Sequence, residues 1–188
     1  MKKSLGASTL AEPTPLWCVG SYDKAGKPNV MTAAWGGICC SKPPCVTVSL
    51  QKTRHSYAAL MDRKAYTVSI PSARYAKEAD YFGIASGKDV DKFAKTGLTA
   101  VKSDLVDAPY VKEFPLILEC QVLHVYDIGL HTLFIGEIVD VKADEEVLTE
   151  KGRIDSNKMQ PVTFSPGSRS YYGIGEDLGR AFMIGKDF

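Results

Sequence analysis

With 188 residues, 45% of them hydrophobic and 24% charged, the chain can bury one substantial core, and residues 1–188 read as a single domain. A formal net charge of +1 leaves no surplus of Lys and Arg of the kind that nucleic acid or an anionic membrane surface attracts, which argues against both as partners. No run approaches the roughly 20 apolar residues that span a bilayer. Residues 1–17 place Ser, Thr, Glu and Pro where a secretion signal needs an unbroken apolar stretch, so a cytoplasmic protein is expected.

Residues 16–48 alternate short β-rich runs with turn residues, the pattern of a strand meander. Asp23 and Gly26 mark one hairpin bend, and Pro43-Pro44, lacking two backbone donors, belongs outside a central ladder. Tyr57, Leu60 and Met61 then recur at helical spacing behind Ser56, which predicts a short helix with Ser56 as its N-cap. Residues 65–71 return to strand composition. Residues 72–98 read as helical segments broken at Gly83 and Gly87 and stopped at Gly97. After Pro109, two long apolar runs flank Asp127-Ile128-Gly129 as an antiparallel hairpin. The remaining tail, rich in Gly and aromatics and poor in periodicity, is expected to wrap an existing body. Strands joined by hairpins, without the alternating strand-helix rhythm of a parallel sheet, predict a mainly β fold: a barrel with a few helices. The lack of a Gly-x-Gly-x-x-Gly turn between a strand and a helix argues against a Rossmann fold.

Five cysteines, at 18, 39, 40, 45 and 120, show no Cys-x-x-Cys spacing and no second ligand pair, so no metal site is expected and a reducing compartment fits. Strand neighbours point to opposite faces, so Cys39 and Cys40 would not act together without a bend.

Four segments carry chemistry. Asn29-Val30-Met31-Thr32-Ala33-Ala34-Trp35-Gly36-Gly37 sets small residues in a row, letting a large flat ligand approach the backbone amides; the same residues also suit a closely packed interior strand. Gln51-Lys52-Thr53-Arg54-His55-Ser56 ends a strand and opens a helix with cations and a hydroxyl, a phosphate site in outline and equally an ordinary basic loop. Ser86-Gly87-Lys88-Asp89-Val90-Asp91-Lys92-Phe93 reads as a solvated helix start or a loop reaching a ligand. His131 opens an apolar strand, where a histidine serves structure or proton chemistry.

Taken in order, these segments, with Ser41-Lys42-Pro43-Pro44-Cys45-Val46 and Asp80-Tyr81-Phe82-Gly83-Ile84-Ala85 between them, resemble the flavin-reductase-like FMN-binding split-barrel family, and within it the flavoredoxins. The resemblance runs from about Leu5 to the C-terminus. It implies a six-stranded Greek-key antiparallel barrel, a homodimer, and one non-covalent FMN near the subunit interface. It implies that Thr32, Ala33, Ala34 and Trp35 line the flavin ring, Ser49, Leu50 and Lys52 the ribityl chain, and Arg54, His55 and Ser56 the phosphate, with Asn29 and Met31 also binding the cofactor. Lys92 and Phe93 would lie near the flavin, Tyr171 and Tyr172 would cap it, and His131 would be the catalytic residue, positioning the reactants. The function so implied is electron transfer through FMN between NAD(P)H or a protein donor and a small-molecule or protein acceptor. Alternatives are a ferric or other small-substrate reductase on the same fold, a flavin-binding module that does not turn over, and a cysteine-based redox protein.

Overall fold

The computed structural model describes residues 1–186. The chain opens with β1 (Thr14–Pro15), β2 (Trp17–Tyr22), β3 (Pro28–Ala33), β4 (Gly36–Ser41) and β5 (Pro44–Gln51), followed by α1 (His55–Arg63) and β6 (Ala65–Ile70). A helical stretch comes next, a 3₁₀ turn over Ala73–Tyr75, then α2 (Ala76–Ile84) and α3 (Lys92–Thr96). The strands resume as β7 (Ala100–Lys102), β8 (Pro109–Val111), β9 (Leu116–Ile128) and β10 (His131–Ala143). A 3₁₀ turn at Glu145–Val147, α4 (Ser156–Met159), β11 (Val162–Ser165) and β12 (Ser170–Gly173) complete the order.

The main sheet is antiparallel throughout and runs β3-β2-β6-β9-β10-β5-β4. Its two edges, β3 and β4, are consecutive in the chain and separated only by Ala34 and Trp35. They are therefore two halves of one bent run, the first paired with β2 and the second with β5. Counted as one strand, they turn the seven-stranded order into a six-stranded ring, the split barrel that the sequence led us to expect. β6 follows β5 and α1 in the chain yet pairs with β2 and β9, the crossing that distinguishes a Greek key from a simple meander.

Strand alternation divides the apolar residues between two cores. Val46, Val48 and Leu50 of β5 face the barrel interior with Val19, Tyr66, Val68, Leu118 and Phe134, and Leu60 of α1 joins them. The neighbouring positions Cys18, Val30 and Ile117 face outward, against Ala79 and Phe82 of α2, Phe93 of α3, and Phe114. β6 is buried on both faces, and its outward hydroxyls are satisfied: Thr67 donates to the Pro109 carbonyl at 2.5 Å, and Ser69 accepts from the Val111 amide at 3.1 Å. A smaller sheet, β1-β11-β12, packs the end of the chain against this second layer, and the Tyr171 hydroxyl donates to Asp80 of α2 at 2.7 Å.

Several local expectations hold. Asp23 accepts from the Ala25 and Lys27 amides through its side chain, Gly26 takes φ +80°, and Gly97 ends α3 in the left-handed region. The long hairpin turns through Gly129 and Leu130, and Pro44 starts β5 at the hairpin end. Others need correction. The N-cap of α1 is Arg54, and Ser56 lies one residue inside the helix, turned toward β3. Gly83 does not break α2, because its backbone bonds continue to Ile84. The tail contributes β11 and β12, whose cross-strand pairs were hidden by the short length of each run. No helix among the described residues is long and apolar enough to cross a membrane.

The ring is filled at one point by the buried Tyr66, whose hydroxyl donates to the Val46 carbonyl at 3.1 Å. Gly136 on β10 makes room for it: a Cβ there would lie 2.5 Å from the Tyr66 hydroxyl oxygen and 2.8 Å from its ring. Gly136→Ala should therefore destabilise the fold by about 1–3 kcal/mol, read as a lowered denaturant midpoint; an unchanged midpoint would show that Tyr66 moves freely.

Candidate functional site

The bend that closes the barrel also shapes a cleft. One part, of about 180 Å³, lies at the start of α1 and is lined by Asn29 and Met31 of β3, by Gln51, Thr53, Arg54, His55 and Ser56 between β5 and α1, by Lys92, and by Phe82 and residues 83–87 at the end of α2. The other, of about 270 Å³, is lined by residues 31–35, by Ser49, Leu50 and Gln51, by Arg54 and by His131. Met31, Gln51 and Arg54 belong to both, so the two parts form one continuous cleft.

Its first end gathers positive charge. The opening amides of a helix have no intrahelical acceptor, and Arg54 at the cap position offers no side-chain acceptor to them. The positive end of a nine-residue helix therefore meets the Arg54 guanidinium in one cavity. Ser56, 1% exposed, accepts from the Asn29 side-chain amide at 2.8 Å, which fixes β3 against α1. Lys92, only 4% exposed, donates to the Val30 and Phe82 carbonyls, both at 2.7 Å. Two of its three N–H groups are thereby used, and no carboxylate pairs with it among the ion pairs of the described residues. Burial pushes its pKa down to about 8, and the Arg54 charge acts in the same direction.

The second end is a shallow wall of small residues. Ala33, Ala34 and the Trp35 backbone form the bend, and the Ser49 amide donates to the Trp35 carbonyl at 2.8 Å, holding β5 against it. Thr32 donates its hydroxyl to the Ala79 carbonyl, tying this wall to α2. His131, first residue of β10 and paired in register with Gln51, stands at the rim.

The residue set fits FMN, the cofactor that the resemblance implies. A cation-rich, uncapped helix start suits a phosphate, and a wall of small side chains with a tryptophan suits a flat ring. The structure brings together Asn29, Met31, Thr32, Ala33, Ala34, Trp35, Ser49, Leu50, Arg54, His55, Ser56, Lys92 and His131. Four expected residues lie elsewhere. Lys52 lines neither part of the cleft; its half-exposed ammonium pairs with Asp127 on the hairpin, because it turns away where its neighbour Gln51 turns in. Phe93 is buried in the second core with its ring 6.0 Å from that of Phe82, since the helical step from Lys92 carries it to another face. Tyr171 and Tyr172 also stand outside the cleft, Tyr171 holding α2 from behind. Gln51, Thr53 and residues 83–85, which the sequence placed within its motifs without a role of their own, also line the cleft.

The sequence pattern of the family described as "Flavin reductase like domain" matches residues 10–170. The chain belongs to the flavin-reductase-like family. Among solved structures it is similar to the flavoredoxin of Desulfovibrio vulgaris (Miyazaki F), with 55% identity and a TM-score of 0.95 over 99% of this chain and 100% of that one. It is also similar to the flavoredoxin of Methanosarcina acetivorans, at 28% identity and a TM-score of 0.92 over 100% and 98% of the two chains. A curated relative, the "Ferric-chelate reductase (NAD(P)H)" of Archaeoglobus fulgidus, is 34% identical over 116 residues, 58% of this chain and 65% of that protein's length. In this flavin-reductase-like chain, the resemblance carried by the ordered motifs is borne out across most of the sequence.

Gly87 shows how tightly the anion end is assembled. A Cβ at this position would run into the Asn29 side-chain oxygen and the His55 ring. Gly87→Ala should lift the loop after α2 or break the Asn29–Ser56 bond, weakening FMN binding about tenfold, the equivalent of one lost buried hydrogen bond. Fluorescence titration of the flavin, with circular dichroism to verify the fold, measures this; unaltered affinity would mean that the loop does not bound the ligand.

Proposed function

We propose that this chain binds FMN non-covalently in the cleft and works as an oxidoreductase or electron carrier of the flavoredoxin and flavin-reductase type. The observation that carries the reading is the continuity of an anion-attracting cavity with a flat wall of small residues. Arg54, His55, Ser56 and Lys92 would hold the phosphate, and residues 32–35 with Ser49 and Leu50 would hold the ring. Bound there, FMN supplies two-electron acceptance from a donor such as NAD(P)H and release of electrons singly or in pairs. Hydride transfer to a flavin needs no protein base, so His131 at the rim orients the incoming reactant and limits water access. The exposed Ile128 and Leu130 beside His131, with Leu123 and Tyr126 behind them on the same hairpin, support a homodimer whose second subunit covers the open side. A cytoplasmic location agrees with five free cysteines.

A second reading, a ferric or other small-substrate reductase, is favoured by the same open side above residues 34–35 and by the likeness to the ferric-chelate reductase. The visible spectrum of the purified protein and anaerobic addition of NADH and NADPH separate the two. A yellow protein bleached by one nucleotide and reoxidised by a ferric chelate is a reductase. A yellow protein bleached by neither is a carrier reduced by another protein. A colourless protein that takes up no FMN refutes the proposal.

The depressed pKa of Lys92 makes a further expectation. A bound phosphate dianion draws the proton back onto Lys92, so binding is tightest where Lys92 is charged. FMN affinity relative to riboflavin should fall several-fold as pH rises through about 8, and Lys92→Met should flatten that step. Titrations of both ligands from pH 7 to pH 9.5 measure it, and a ratio constant with pH would remove Lys92 from the phosphate site.

A further inference from the structure

The far end of β4 carries chemistry that the cleft does not use. Along the ladder with β5, Ile38 pairs with Val46 and Cys40 with Cys45, and Cys39 is skipped. A bulge of this kind sets two residues against one. It supplies the bend that a regular strand would lack, so Cys39 and Cys40 together oppose Cys45.

Two residues, Lys42 and Pro43, connect the strands. Pro44 has no backbone N–H to give to Ser41; the Ser49 amide on the Trp35 carbonyl sets the alternation along β5, in which Ser49, Thr47 and Cys45 turn their backbone groups toward β4. Cys45 therefore stands at a hydrogen-bonded position of this ladder, where paired Cα atoms lie about 5.5 Å apart. That separation falls inside the roughly 4.4–6.8 Å range that a disulfide spans. All five cysteines are free thiols; Cys40 is exposed, whereas Cys45 is 3% exposed. The Cys45 pKa is raised by burial and by the nearby Cys39 and Cys40 sulfurs. No set of three or more His, Cys, Asp or Glu side chains among the described residues could hold a metal ion, so a thiol pair and not a ligand cluster is present.

We infer that Cys40 and Cys45 are a redox-active dithiol that closes to a cross-strand disulfide on reaction with a small disulfide oxidant of the glutathione-disulfide class. The exposed Cys40 thiolate attacks one sulfur of the oxidant, breaking its S–S bond, releasing one thiol and leaving a mixed disulfide on Cys40. The Cys45 thiolate then attacks the Cys40 sulfur and expels the second thiol. Cys40 and Cys45 lose two electrons and two protons between them, and the oxidant gains both as two thiols. Because the Cys45 pKa is raised, closure speeds up about tenfold for each unit that pH rises while it stays below that pKa. β4 is an edge of the sheet, bonded only to β5, and it starts one residue after Trp35. A covalent link at the hairpin end therefore restrains the strand that carries one wall of the cleft.

The test uses the full chain with its cofactor content as purified, incubated with glutathione disulfide, quenched by alkylation and digested without reductant. The expected product is lighter than the reduced chain by two hydrogen atoms and yields a peptide pair joining Cys40 to Cys45. Cys39→Ser should leave that link intact. Cys40→Ser, at an exposed position, should abolish it without loss of fold, which covers the case in which Cys45→Ser misfolds. A persistent glutathionyl adduct without closure, a link through Cys39, or no reaction would each overturn the assignment.

Discussion

The structure depends on the change of partner at Ala34 and Trp35. Up to Ala33 the run is bonded to β2, and from Gly36 it is bonded to β5, with the Ser49 amide on the Trp35 carbonyl starting the new ladder. Without that switch, β3 and β4 would be two open edges, each exposing unpaired backbone groups. With it, the sheet closes, and the concave side of the bend becomes the shallow wall of the cleft. Bulk at this point would oppose the curvature, which gives Ala33 and Ala34 a structural reason as well as a ligand-facing one.

Charge placement completes what shape begins. An ammonium taken out of water is costly unless it is paired or hydrogen-bonded, and Lys92 is bonded to two neutral carbonyls from β3 and α2. Those bonds join two walls of the cleft but leave its positive charge uncompensated by a carboxylate among the described ion pairs. Arg54 and the opening turn of α1 add to the same field.

Much of the fold was legible because its signals are local. The Asp23 turn, the Gly129 hairpin and the alternation in β5 each rest on residues a few positions apart. What escaped depends on distance. β11 and β12 are short runs whose pairing emerges only from three-dimensional register, and the bulge at Cys39 cannot be read from a strand considered alone. Lys52 and Phe93 stand beside neighbours that line the cleft while they themselves do not; the direction of a side chain at a strand end or helix start depends on packing that spacing does not reveal. Residues 83–85 reach the cleft only because α2 packs across β3.

The order of the sheet also bears on how the cleft comes into existence. β3, β2 and β6 form one early set of strands and β5 with β4 another, and apart from the bend at Ala34 and Trp35 it is the late hairpin of β9 and β10 that bonds them together. α2, which walls the anion cavity, is braced from behind by Tyr171, later still. During synthesis, a chain emerging from its N-terminus displays nearly every cleft residue long before those residues can be held in place. Capture of a cofactor is consequently an event of the almost finished polypeptide, and a truncated product ending before β9 would carry the binding motifs without a site to bind with.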